Sequence, residues 1–235
     1  MSPRNRPPAP DLVFIKLQDA LAATGCPICR IVRQAEQRYL WGYLYEQVND
    51  PHSREEFIAA RGFCADHARA LLAFHDVLGV AILYRHLVGE LTAALERASS
   101  AAARTLRAAA QRIAAALAPD AGCPACRHVR LHEDALLHAL VVRLEPPEVW
   151  ERLCGPAALC VRHFLAALRV ADRAAQARLV QAELTALRAV ARDLDELIRK
   201  FDYRFRHETV TPDEAASWTR AIELCAGAGR VWPPT

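Results

Sequence analysis

One four-residue pattern is written twice in this chain, and it limits the possible folds more than any other feature. "CPICR" at Cys26–Arg30 returns 97 positions later as "CPACR" at Cys123–Arg127. "CADH" at Cys64–His67 returns 96 positions later as "CVRH" at Cys160–His163. Each pass reads CxxC, a spacer of 34 or 33 residues, then CxxH. Self-similarity at a fixed period marks a duplicated structural unit. The match extends beyond the cysteines: Arg30 aligns with Arg127, Arg33 with Arg130, and Glu36 with Glu133. Further on, "ELTAAL" at Glu90 echoes "ELTALR" at Glu183, at an offset of 93.

The residues between these motifs favour helices. Hydrophobic residues make up 53% of the 235, with 9 glycines, so a real core is available. Ala and Leu dominate, while β-branched and aromatic residues are sparse, which favours an all-α protein. The expected architecture is a helical bundle of two internally repeated halves, each holding a Cys3His metal site. A Pro-rich, disordered lead is expected over residues 1–10. The first unit spans 11–117 and the second 118–201, and a C-terminal segment with a docking helix fills 202–235. Within the first unit a helix is expected from about Ile28 to Val48, with Trp41 and Leu44 on its apolar side. Val80 to Leu117 reads as one long Ala-rich helix or two. In the tail, Thr211 is a good N-cap, Pro212 suits the first helical position, and Gly227 is the stop.

The motifs themselves argue for metal. A CxxC turn at a helix start aims two thiolates at one spot, where the helix dipole favours their charge. A Cys and a His three apart at a helix start share one face. Four such ligands make a closed tetrahedral site. The expected sets are Cys26, Cys29, Cys64 and His67 in the first unit, and Cys123, Cys126, Cys160 and His163 in the second. Two zinc ions per chain fit these sets. Iron–sulfur clusters accept the same ligands and remain an alternative. So does a zinc thiol switch, in which oxidation ejects the metal. Disulfides would need an oxidising compartment. A haem attachment site needs CxxCH, but Arg follows each CxxC here.

Three thiolates and one imidazole around a divalent ion leave one negative charge, which Arg30 and Arg127 are placed to offset. Glu36 and Glu133 stand seven residues past the second cysteine of each CxxC. They suit either a contact to a ligand histidine or a surface ion pair with Arg33 or Arg130. Cys154 and Cys225 read as small packed hydrophobes, and His132 and His138 as surface residues. In the tail, Tyr203, Phe205 and Trp218 read as anchors for the last helix. The same alternation of aromatic and basic residues would also suit nucleic acid.

Paired "CPxCR … GFCxxHA" units followed by "DYRFRHE … SWxRA" resemble an uncharacterised bacterial family known only as a domain of unknown function. The resemblance runs from about Asp11 to Gly227, with "GFC" replaced by "ALC" in the second unit. It implies the metal sites and no particular activity. The sequence holds no phosphate-binding glycine loop, no nucleophile elbow and no HExxH, so the expectation leans away from an enzyme. A net charge of +3 is too small to argue for nucleic acid. No apolar run is expected to span a membrane. A cytoplasmic protein is expected, with a protein partner or self-association open.

Overall fold

The computed structural model describes residues 12–100, 105–144 and 147–228. The lead expected over residues 1–10 lies outside them. Every regular element among the described residues is an α-helix. In chain order these are α1 (Leu12–Leu21), α2 (Pro27–Tyr45), α3 (Pro51–Ala59), α4 (Ala65–Leu72), α5 (Val77–Ser100) and α6 (Leu106–Leu117), then α7 (Pro124–Val142), α8 (Pro147–Leu153), α9 (Val161–Val170), α10 (Arg173–Phe201) and α11 (Pro212–Ala226). The starts of α2, α3, α4 and α5 recur in α7, α8, α9 and α10 at offsets of 97, 96, 96 and 96. The Ala-rich stretch is thus two helices, and α6 packs back on α5.

Local chemistry sets these boundaries. Asp50 caps α3 by accepting from Ser53 N, with Pro51 in the first turn. Thr105 caps α6 and Asp172 caps α10 in the same way. Thr211 and Glu214 form a reciprocal capping box on α11, with Pro212 at its start. Each cap satisfies a backbone N–H that the helix cannot, stabilising it by about 1 kcal/mol.

The described residues form two compact units, and these do not follow the boundaries read from the sequence. One unit joins the residues up to Arg33 with those from His132 onward. The other runs from Gln34 to Leu131. The first turns of α2 therefore belong with the second repeat, and those of α7 with the first.

In the 34–131 unit the core is aromatic. Tyr43, Phe57 and Phe63 are buried together with Leu40, Leu44, Leu71, Leu83 and Leu87. Phe63 meets Tyr43 and Phe57 edge-on, with ring centroids 5.0 and 5.2 Å apart, a favoured geometry for aromatic pairs. Trp41 is not part of it: Leu44 is buried, but the Trp41 ring faces outward against Tyr45. By length and composition, α5 is long and apolar enough to cross a membrane, contrary to the sequence expectation. Its Leu83 and Leu87 lie in this unit's core.

The other unit is built on α10, which packs against α8, α9 and α11. Its buried positions are mostly aliphatic: Leu153, Ala158, Leu179, Ala186, Val190 and Leu224. The tail aromatics do not anchor α11. Tyr203 and Trp218 are exposed, and Phe205 lies beneath the Arg199 guanidinium. Instead α11 is held by buried Leu224 and Ser217 and by an ion pair, 2.7 Å long, between Lys200 and Glu214. Cys225, expected to pack, is exposed.

Candidate metal centres

All eight motif residues gather into two clusters, but not the two that sequence order suggests. Cys26 and Cys29 meet Cys160 and His163, and Cys123 and Cys126 meet Cys64 and His67. Within each cluster the ligand atoms all lie within 4.8 Å of one another. The CxxC of each repeat is thus completed by the CxxH of the other, which corrects the expected pairing. Helix length supplies a physical reason. At 1.5 Å per residue α2 carries the chain about 28 Å from its CxxC, which favours a partner other than the CxxH that follows. The backbone follows the same crossing. Gly25 N donates to Pro156 O, 2.7 Å away, and Asp120 N donates to Ala59 O, 2.8 Å away.

Four of the six cysteine ligands sit where a helix begins. Cys64 and Cys160 are the N-caps of α4 and α9, both in extended backbone and without a side-chain cap bond, which leaves each sulfur free for the cluster. Cys26 and Cys123 directly precede α2 and α7, whose first residues are Pro27 and Pro124. Proline suits that position because its missing N–H has no helical partner to lose. Each centre therefore lies where two helix N-termini converge, α2 with α9 and α4 with α7. Both partial positive charges favour thiolates.

At the α2/α9 centre, His163 Nδ1 lies 3.3 Å from Cys26 Sγ, 3.3 Å from Cys29 Sγ and 3.2 Å from Cys160 Sγ. Cys29 Sγ and Cys160 Sγ are 3.7 Å apart. At the α4/α7 centre, His67 Nδ1 lies 3.0, 3.6 and 3.4 Å from the sulfurs of Cys64, Cys123 and Cys126. Cys64 Sγ and Cys126 Sγ are again 3.7 Å apart. Zinc–sulfur bonds of about 2.3 Å in a tetrahedron place neighbouring sulfurs about 3.8 Å apart. A disulfide needs about 2.05 Å, and none of the eight cysteines is disulfide-bonded. The donor set and its spacing fit one tetrahedral ion at each centre.

The far nitrogen of each imidazole faces a buried carboxylate. His67 Nε2 is 2.8 Å from Glu36 Oε1, and His163 Nε2 is 3.1 Å from Glu133 Oε1. This contact selects the Nε2–H form and leaves Nδ1 for the sulfurs. Glu133 also takes two bonds from Arg162 Nη2. His163 and then Arg162 hold its carboxyl down at about 2. Arg30 and Arg127 do other work. Arg30 donates to Thr24 O, and Arg127 pairs with Glu56.

The protein groups alone are strongly polarised. Bonds from Cys26 and Cys29 hold the Cys160 thiol far below its usual range, while burial pushes Cys26 well up. Burial works against charge on His163, but bonds to Cys160, Cys29 and Glu133 outweigh it and raise the imidazole to about 11. His67 is raised to about 10, its bonds to Cys123, Glu36 and Cys64 likewise prevailing over burial. These clusters hold positive charge beside thiolate, and a bound divalent cation would supply that charge directly.

One buried acid was missed in the sequence. The "ELTA" echo aligned Glu183 with Glu90. The buried positions instead match at the motif offset of 96, pairing Leu83 with Leu179 and Leu87 with Glu183. A leucine position in one unit is therefore a buried glutamate in the other. Glu183 Oε1 has no hydrogen-bond partner among the described residues, and burial, then the charge of Cys160, lifts its carboxyl to about 7. His132 and His138 are exposed, and Cys154 is partly buried.

Comparison with known proteins places this chain in a wider group. The chain is 27% identical over 204 residues to an uncharacterised 23.9 kDa protein from the xynA 3' region of Caldicellulosiruptor sp. (strain Rt8B.4), covering 86% of this chain and 95% of that protein. No solved structure matches. The model of a family described as "Family of unknown function (DUF6062)" matches residues 10–230, and with nearly the whole chain covered, this protein belongs to that family.

Proposed function

We propose that this is a metal-binding helical protein that carries two structural zinc ions and serves as a scaffold or binding module. The observation behind this reading is the pair of four-ligand clusters, each within 4.8 Å. All four positions of a tetrahedral ion are filled by protein, so none is left open for substrate, which suits a structural clamp. The ligands of an iron–sulfur cluster are divided among separate irons and spread wider than those of a single ion. The tight spacing therefore favours one zinc per site. The crossed pairing adds purpose to the clamps, because each ion ties a CxxC turn to a helix from the other repeat. A cytoplasmic location suits reduced thiolates. The exposed apolar residues of α5 and α10 suit a protein partner or self-association.

The test is elemental analysis with an absorption spectrum, on full-length protein purified without oxygen. Two zincs per chain and no visible absorption are expected. Iron with sulfide would replace this reading with a redox one, and metal-free folded protein would end it.

A further inference from the structure

The two centres share a ligand set but not a cover. At the α2/α9 centre Cys26 is 6% exposed and Cys160 0%. Cys29 is partly exposed, but Gly227, at the end of α11, lies over the sulfurs. A Cβ at Gly227 would stand 3.4 Å from Cys160 Sγ and 3.5 Å from Cys29 Sγ. At the α4/α7 centre all three cysteines, Cys64, Cys123 and Cys126, are partly exposed. The glycines that lead into the two CxxC turns differ in the same sense. A Cβ at Gly25 would meet Glu223 Oε2 at 3.3 Å, whereas at Gly122 it would meet nothing within 4 Å.

A metal held by thiolates is lost to oxidants through a sulfur the oxidant can reach. We propose that the α4/α7 centre is a peroxide-reactive thiolate site that surrenders its metal on oxidation, while the α2/α9 centre stays closed. This rests on the metal-binding reading above. The oxidant class is hydrogen peroxide or a small hydroperoxide. The Cys126 thiolate attacks one peroxide oxygen: an S–O bond forms, the O–O bond breaks, and the departing hydroxide takes a proton to become water. The Cys64 thiolate, whose sulfur lies 3.7 Å from that of Cys126, then attacks the sulfenic sulfur. An S–S bond forms, the S–O bond breaks, and a second hydroxide leaves as water. Two thiolates lose one electron each, the peroxide gains two, and two protons are consumed. Only Cys123 and His67 would then remain to hold a cation at this centre, too few to retain it against a competing ligand.

The experiment uses full-length protein whose two bound zincs have first been confirmed, with hydrogen peroxide added in the presence of a zinc-binding dye. One equivalent should appear at least tenfold faster than the second. Peptide mapping at that point should show Cys64 linked to Cys126, with Cys26, Cys29 and Cys160 still reduced. Alkylation of the untreated protein gives a second readout. Exposed Cys225 should label first as a reference, then the α4/α7 thiols, then those of the α2/α9 centre. Release of both zincs together, oxidation beginning at Cys26, Cys29 or Cys160, or full retention under excess peroxide would each overturn the proposal and leave the metal-binding reading standing. A protein that never held zinc would remove both.

Discussion

Cys26 and His163 stand 137 residues apart, yet Cys26 Sγ and His163 Nδ1 are 3.3 Å from each other. Neither belongs to the repeat of the other. The fold is therefore joined by reciprocal exchange within one chain, with each repeat lending its opening CxxC to its twin.

The crossed pairing has a direct test in double removals. Replacing Cys26 and Cys29 together with Cys160 and His163 by alanine should leave one zinc per chain, because all four serve the same ion. Replacing Cys26 and Cys29 together with Cys64 and His67 should leave none. Metal content by mass spectrometry reads the difference, and equal loss in both variants would refute the exchange.

Glu36 and Glu133 each orient one imidazole, so their loss should act on one centre at a time. Glu36→Gln should weaken zinc at the α4/α7 centre, and Glu133→Gln at the α2/α9 centre, each by about 10- to 100-fold. Competition with a chelator of known affinity measures this. An unchanged affinity would mean that the carboxylates do not select the ring tautomer.

Gly227 combines a φ of +80 with close approach to two ligand sulfurs. A side chain there is opposed by both the backbone conformation and the available space. Gly227→Val should destabilise the protein by more than about 1 kcal/mol. It should also speed chelator attack on the α2/α9 centre without changing the other. Denaturant unfolding and metal-release kinetics together separate these effects.

Glu183 predicts a pH effect with a definite sign. Its carboxyl is raised from 4.5 to about 7 in the folded protein, so the native state holds a proton that the unfolded chain has released. Its share of stability is complete below about pH 4.5 and declines as the pH rises toward 7. At pH 8 the ionised group costs about 3 kcal/mol on this basis. Glu183→Leu, which copies the residue at Leu87, should raise the melting temperature at pH 8 and change it little at pH 4.5. A pH-independent gain would assign the effect to packing alone.

On the proposed reading, metal supports the fold. Chelation of both zincs should lower the melting temperature and shift the unfolding of the α2/α9 and α4/α7 regions, as measured by hydrogen exchange. The aromatic cluster around Phe57 is a separate source of stability. Phe57→Ala should cost about 3–5 kcal/mol whether or not metal is bound.

Much of this was legible without coordinates. The eight candidate ligands, the all-helical class and the capping of α11 all follow from residue type and spacing, because they depend on local chemistry, whereas the sequence left one helix or two open over the Ala-rich stretch. Trp41, Tyr203 and Trp218 misled because an aromatic side chain gives no sign of which way the backbone will turn it. Glu183 was masked by a local echo in phase 93, whereas the fold repeats in phase 96; only burial separates the two. The largest correction was the pairing of the half-sites. Each CxxC is chemically able to use either CxxH, since both offer one sulfur and one imidazole from a helix start. The sequence by itself determined which residues could hold a metal. Which of them gather together was decided by the path of the chain, because α2 and α7 each carry it far from their own CxxC before the CxxH that follows.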